Sequence, residues 1–144
     1  LKPEHLVYVV VRDTEEPEDF FIQKNGIKNF TYAEFTQKGA ERVAKEALDR
    51  LKDCDIIYVS FDVDSLDSKF SKGTGTPVAI GLTVEEAKEL NFHLLQDPRV
   101  VCFEMTEINP TLDTENTMAE NAFDILETAT EAILHRESKS TAIH

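Results

Sequence analysis

The chain has 144 residues, 41% of them hydrophobic, which is enough for one segment with a real core and short for two domains. Its 28 acidic against 15 basic residues leave a formal charge of -13, which argues against nucleic acid or an anionic membrane as partner, since both demand clustered Lys and Arg. Neither a signal-type leader nor an 18-residue apolar run is present, so the expected compartment is cytoplasmic. Cys54 and Cys102 stand apart with no Cys-x-x-Cys, and the expectation is two buried free thiols.

The chain opens at Leu1 and reaches a buried-type strand, Leu6 to Val11, within a few residues. Domains usually begin on the surface, so this start is expected of a piece from inside a larger fold. Glu15 to Lys24 has acidic residues early, a Lys late and Gly26 just beyond, the charge order and stop of a short helix. After a brief strand at Asn29-Phe30, Thr31 with Glu34 makes a capping-box pattern. Phe35, Ala40, Val43, Ala44, Ala47, Leu48 and Leu51 then predict one helix of about 18 residues, the crossover of a βαβ unit ending at the strand 56–62. Ile56-Ile57-Tyr58-Val59 lacks polar alternation and reads as a strand buried on both faces, as in a helix-covered parallel sheet.

Thr83 with Glu86 opens another helix, to Leu95, which Asp97-Pro98 ends. Val100 to Phe103 is a further buried-type strand, bringing Glu104 and Glu107 to the same crevice edge as the aspartates of the strand before it. Asp113, Thr114 or Thr117 is positioned to cap a last helix, with Ala119, Ala122, Phe123, Leu126, Ala129 and Ile133 as its packed face and a frayed polar tail after His135. The fold class that results is α/β, with a mainly parallel sheet.

The chemistry-bearing stretch is Ser60-Phe61-Asp62-Val63-Asp64-Ser65-Leu66-Asp67, leading into Gly73-Thr74-Gly75-Thr76-Pro77. Ligands of open α/β sheets bind outside the carboxyl ends of the strands, where these acids fall. Strand alternation puts Asp62 and Asp64 on one side. Two such carboxylates at 4 Å repel by about 4 kcal/mol at an effective dielectric near 20. With no Lys or Arg between Ile56 and Ser68, protons or divalent metal are the local remedies. The competing reading makes Asp62, Asp64 and Asp67 solvated turn residues bonded to nearby amides. The glycine-rich loop lacks the spacing of a phosphate cradle and reads instead as a tight loop bringing the Thr76 hydroxyl to the crevice.

Ser-Phe-Asp-Val-Asp-Ser-Leu-Asp at 60–67, Gly-Thr-Gly-Thr-Pro at 73–77 and Gly-Leu-Thr at 81–83 together resemble the C-terminal metal motif of the ureohydrolases, the superfamily of arginase, agmatinase and formiminoglutamase, and Glu107-Ile108-Asn109-Pro110 resembles that family's later Glu-Val-Asn-Pro element. Arg12-Asp13 and Gly26 to Phe30 are most similar to the arginase branch. The resemblance runs over nearly the whole chain and implies the C-terminal portion of a three-layer α/β/α fold, residues 1–144 forming a single segment with the N-terminal half absent. The family's earlier histidine-bearing motifs have no counterpart here, and His5, His93, His135 and His144 lie in none of their contexts.

What the resemblance implies for the site is that Asp62 bridges two Mn²⁺ ions and Asp64 binds one of them. Thr76 would lie near the substrate end, Glu107 would accept hydrogen bonds from a guanidinium, and Glu104 would stand one layer behind the ligands. Four further ligands and the catalytic His would come from the missing half, so no catalytic residue is expected in this piece, which by itself would be inactive. The implied reaction is L-arginine plus water to ornithine plus urea by metal-activated water, with agmatinase or formiminoglutamase as the alternatives within the superfamily. From another class, the alternative is a non-catalytic α/β binding or assembly module. A homo-trimer or hexamer is implied by analogy only. The chain departs from the family pattern in having Glu104 for a usual Asp, Ser68 and Lys72 for usual prolines, and Ile80 for a usual Gly, which puts the rigidity of the loop in question.

Overall fold

Strand β1 (Val7–Val9) pairs in parallel with β2 (Lys28–Phe30), and helix α1 (Glu16–Lys24) makes the crossover between them, in a computed structural model that describes residues 1–141 and side chains through Ser138. The capping box expected at Thr31 and Glu34 forms and opens α2 (Tyr32–Lys38). The single helix expected through Leu51 is instead broken at Gly39, whose φ of 81° is open to glycine and not to a helix, and α3 (Ala40–Arg50) starts afresh beyond it. The apolar stripe is unaffected: Val43, Ala44 and Ala47 are all buried.

β3 (Ile57–Asp62) pairs in parallel with β4 (Val100–Thr106), in register from Tyr58 opposite Cys102 to Asp62 opposite Thr106. The 32–50 helices therefore do not join two paired strands, as a simple βαβ crossover would. β2 bonds to β1, and β3 bonds to β4, giving two separate two-stranded sheets. Between them, consecutive residues Val7–Val11 and Ile57–Asp62 bound a cavity of about 330 Å³. Lining by consecutive residues means that strand edges, not strand faces, form its walls. Leu48 and Leu51 beyond α3, with Leu90 and Leu94 of α4 (Val84–Leu95), complete the lining.

The larger of two buried clusters lies between the strands and the helices, where Val10, Phe30, Phe35, Phe61, Val63 and Leu66 meet Val43, Ala47, Ala87, Leu90 and Ile125, and a smaller one gathers Ile57, Leu95, Val100, Ala129 and Ala132. The other face of β3 and β4 is bare, with Tyr58 55% and Val101 62% exposed. β3 is thus not buried on both faces as its composition predicts; among the described residues nothing covers Tyr58, Ser60 and Asp62. The layer over Phe61 and Val63 is present, and the layer over Tyr58 is not.

Asp113 caps α5 (Thr117–Thr141), its two carboxylate oxygens accepting from the amides of Met118 and Ala119, each at 2.9 Å. The buried stripe of α5 is Met118, Ala122, Ile125, Ala129 and Ala132. Phe123 and Leu126, expected to face the sheet, are 63% and 47% exposed. Periodicity alone allowed either stripe, and the small residues let α5 approach α4 closely. The helix also runs past His135 to Thr141, where a frayed tail is expected; residues 142–144 of that tail lie outside the described residues. Both cysteines are free, but Cys54 is half-buried and Cys102 exposed, because Cys102 falls on the bare side of β4.

Asp97 and Arg99 tie three elements together. Arg99 donates to Asp97 Oδ2 at 2.7 Å and to Oδ1 at 3.0 Å, and also to the carbonyls of Leu51 at 2.8 Å and Leu48 at 3.3 Å near the end of α3. The guanidinium holds the Asp97 carboxyl below the usual carboxylate range, against a smaller opposing effect of burial. A depressed folded-state value means that the stabilisation is present above the unfolded value of about 3.9 and is lost as pH falls through the folded one. Asp97→Asn is expected to lower stability at pH 7 by about 1–2 kcal/mol and to flatten the loss of stability below about pH 4, measured by urea unfolding at pH 7 and pH 3. An unchanged midpoint at pH 7 would remove the pair from the account of how α3 meets β4.

Candidate metal and substrate site

β3 delivers Asp62 as its last residue, and the chain then turns at once through a single 3-10 turn, Val63–Ser65. Strand alternation therefore does not place Asp64; the turn does. Asp62 Oδ1 accepts the amide of Asp64 at 2.8 Å, and buried Val63 anchors the turn in the core. Both aspartates line the same cavity, at the end where Arg12, Asp13, Ser65 and Thr76 also stand. They converge as expected, although a local turn brings this about and not the pleat.

The Asp64 carboxylate is held by two hydroxyls. Thr76 donates to Oδ2 at 2.7 Å, and Thr74 donates to Oδ1 in a short contact. Thr74 is 2% exposed and was not singled out in the sequence; the Gly-Thr-Gly-Thr repeat carried the signal, since two hydroxyls two residues apart can grip one carboxylate. Asp67, by contrast, is the turn residue of the bland reading. It accepts the amides of Lys69 at 3.0 Å and Ile80 at 2.8 Å, and those bonds hold its carboxyl low.

Burial pushes the Asp62 carboxyl up, the amide of Asp64 opposes this, and the negative charges of Asp64 and Glu107 push it further up. Glu107 is thereby within electrostatic reach of the aspartate pair. It follows β4 with a φ of 66°, a conformation that costs a non-glycine residue about 1–3 kcal/mol and that often marks functional positions. Asn109, two residues on, donates its amide to the Gly73 carbonyl at 2.7 Å, which ties the Glu107 segment to the loop of Thr74 and Thr76. Gly73 has to be glycine there: a Cβ would stand 2.7 Å from that of Met118 and 2.8 Å from that of Asp113.

Glu104 lies further back along β4. It faces Ser60 in the register and accepts its hydroxyl at 2.8 Å, and hydrogen bonds from Tyr58 and Ser60 hold its carboxyl low. It bonds to neither Asp62 nor Asp64.

The donor chemistry fits a hard divalent cation. Two carboxylates sit together in one crevice, burial and neighbouring charges destabilise Asp62 as an anion, and among the described residues Asp62, Asp64 and Glu107 make no salt bridge, although the Arg12 guanidinium lies within coulombic reach of Asp64. It fits only in part. Among the described residues no group of three His, Cys, Asp or Glu side chains forms a ligand set, and His135 is engaged elsewhere, with Gln96 at 3.2 Å.

Comparison with known proteins gives the geometry a context. A family profile described as Arginase family matches residues 1–131. The arginase of Bacillus caldovelox is 38% identical over 128 residues, covering 88% of this chain and 42% of that protein. The crystal structure of arginase from Bacillus subtilis superposes with a TM-score of 0.83 at 32% identity, over 90% of this chain and 45% of that one. The formimidoylglutamase of Bacillus subtilis superposes with a TM-score of 0.85 at 26% identity, over 92% of this chain and 42% of that one. The chain thus spans under half the length of the relatives it matches.

The loop bears on position 80, where the resemblance implies a glycine and this chain has Ile. Ile80 has a φ of 61° with its side chain 68% exposed, so it carries backbone strain with little burial to offset it. Relief of about 1–2 kcal/mol less about 0.5–1 kcal/mol for the freedom of glycine predicts that Ile80→Gly stabilises the protein by about 0.5–1 kcal/mol. A lowered denaturation midpoint would show that the strain is not there.

Proposed function

The chain belongs to the arginase family, and on that premise we propose that it is the C-terminal part of a Mn²⁺-dependent ureohydrolase that hydrolyses L-arginine to ornithine and urea. The observation that carries the reading is the pairing of Asp62 and Asp64 in one crevice at the end of β3, with Glu107 after β4 near enough to act on Asp62 and no salt bridge to any of the three among the described residues. Manganese, when bound, supplies a nucleophile at neutral pH by lowering the pKa of water towards about 7.

Asp62, with Oδ1 on its own turn and Oδ2 left open, is the candidate to bridge two ions. Asp64 is the candidate to hold one of them, with the Thr74 and Thr76 hydroxyls fixing its rotamer from behind while leaving lone pairs free. Thr76 would stand at the substrate end. Glu107, beside this centre, suits a guanidinium: a carboxylate can accept two parallel N–H bonds and orient the planar cation against the nucleophile. Glu104 would act at one remove, holding Ser60 on β3 two residues before Asp62.

The remaining ligands and the catalytic His would come from the part of the fold that relatives have and this sequence does not. Two features support such a complement. The bare side of β3–β4 exposes Tyr58 and Val101, and the two separate two-stranded sheets leave a cavity of about 330 Å³ lined by β1 and β3, where a further strand would bond. With two donors alone, this segment by itself would bind Mn²⁺ weakly and be inactive. An exposed free thiol at Cys102 suits a reducing cytoplasm, and among the described residues no helix is long and apolar enough to cross a membrane.

Substrate choice within the superfamily is the second part of the reading. The likeness to the formimidoylglutamase keeps that alternative, with agmatinase, in the test. The natural polypeptide that carries this sequence, loaded with Mn²⁺, is expected to release urea from arginine faster than from agmatine and to leave formiminoglutamate intact. Equal or absent urea release from arginine would end the arginase assignment, and absence of turnover on all three would favour a binding module. Asp62→Ala is expected to abolish Mn²⁺ retention and activity together, read by metal analysis after gel filtration beside the urea assay. Activity retained without that carboxylate would remove it from the ligand set.

A further inference from the structure

We propose that Arg12 is a positioning residue for the metal-binding carboxylates, one that works through backbone carbonyls and touches neither ion nor substrate. The inference rests on the reading of Asp62 and Asp64 as ligands. Arg12 lies just beyond β1, and its guanidinium reaches the two segments that frame the crevice after β3. Nη2 donates to the Asp64 carbonyl in a short contact and to the Leu66 carbonyl at 3.1 Å. Nη1 donates to the carbonyls of Val78 and Ala79, each at 3.1 Å.

One planar group thus gathers four acceptors from two loops. A guanidinium offers five donors in a fixed fork, so the spacing between the carbonyls is set by a rigid body, which an ammonium on a flexible stem could not do. Just below, the chain repeats the connection with its own backbone: Asp67 N donates to Leu82 O at 2.8 Å and Leu82 N to Ser65 O at 3.0 Å. The loop closes tightly over the fork, and a Cβ at Gly81 would stand 2.3 Å from Nη1.

This is not an ordinary ion pair. The carboxylates near Arg12 are engaged elsewhere, Asp64 by Thr74 and Thr76, Asp67 by the amides of Lys69 and Ile80. Asp64 is consequently gripped at both ends, its carbonyl by Arg12 and its carboxylate by the two threonines. Asp62 lies one residue upstream of this turn, at the end of a paired strand, and is placed by the sheet. Loss of the fork should therefore misplace Asp64 while leaving Asp62 where it is.

Arg12→Lys, which keeps the charge, and Arg12→Met, which keeps the stem, separate the fork from both in the natural polypeptide. Titration with Mn²⁺, following free ion by EPR, is expected to show one binding step weakened roughly 10- to 100-fold in each variant and the other step little changed. At saturating Mn²⁺ the KM for arginine should stay near that of the unaltered protein. In the metal-free variants, amide exchange over 64–81 should quicken. Wild-type Mn²⁺ affinity in Arg12→Lys would mean that charge, not the fork, is what matters, and would overturn the proposal. Equal weakening of both steps with a fall in thermal stability, or failure of both variants to fold, would reduce Arg12 to one more fold contact and also overturn it. Should the unaltered protein bind no Mn²⁺, the ligand assignment fails separately. Exchange in the metal-free protein then still decides: unchanged rates over 64–81 would sink the clamp.

Discussion

Asp62 and Asp64 share one strand-end crevice, Glu107 is close enough to act on Asp62 through its charge, and none of the three has a salt-bridge partner among the described residues. Asp62 is pushed up by burial and by the charges of Asp64 and Glu107, while only one amide, that of Asp64, works in the other direction. A fold that merely needed a turn here would do better with Asn or Ser, which bond to the same amides without the charge. On the reading proposed above, a bound cation would relieve the charge that Asp64 and Glu107 place on Asp62.

Around that crevice the backbone is held in conformations that most residues avoid. Val10 at the end of β1, Ile80 in the glycine-poor part of the loop and Glu107 at the end of β4 all have φ between 59° and 66°. Each lies beyond the carboxyl end of a strand or in the loop above one, the place where α/β sheets build their sites. The chain supports these positions with polar bonds that cross between segments: Arg12 to four carbonyls, Asn109 to Gly73, and Asp67 to the amide of Ile80. Strain at the rim and multiple ties beneath it belong to the same construction, since a strained residue persists only where its surroundings over-determine it.

The remainder of the chain carries the marks of a partial core. Helices α3, α4 and α5 cover one side of the strands, where Ile57, Phe61 and Val63 are buried. Tyr58, Ser60 and Asp62 alternate onto a side that nothing described covers. An apolar strand composition with one bare face and an open slot at its edge is self-consistent if a further layer and a further strand belong there, as the length of the relatives supports.

Much of this was legible from residue order alone, because it depends on neighbours within a few positions. The capping boxes at Thr31 and Thr83, the extent of α4 and the strand identity of 57–62 and 100–103 follow from local bonding and apolar runs, and all form, while of the three candidate caps for α5 the structure chose Asp113. Also legible was the naming of Asp62, Asp64 and Thr76 as residues of one crevice. Other features needed the third dimension. The break at Gly39 was hidden by an unbroken helical stripe, and the α5 face expected to pack, with Phe123 and Leu126, gave way to the stripe of Met118, Ala122, Ile125, Ala129 and Ala132 once α4 was in place. The pairing of β2 with β1, and not with β3, is a choice of partner that the order of residues does not make. Arg12, noted in the sequence only for its resemblance, showed its bonds to the Asp64 and Val78 carbonyls only once the loop had closed, because a hydrogen bond across 52 or 66 positions leaves no periodic trace in the order of residues.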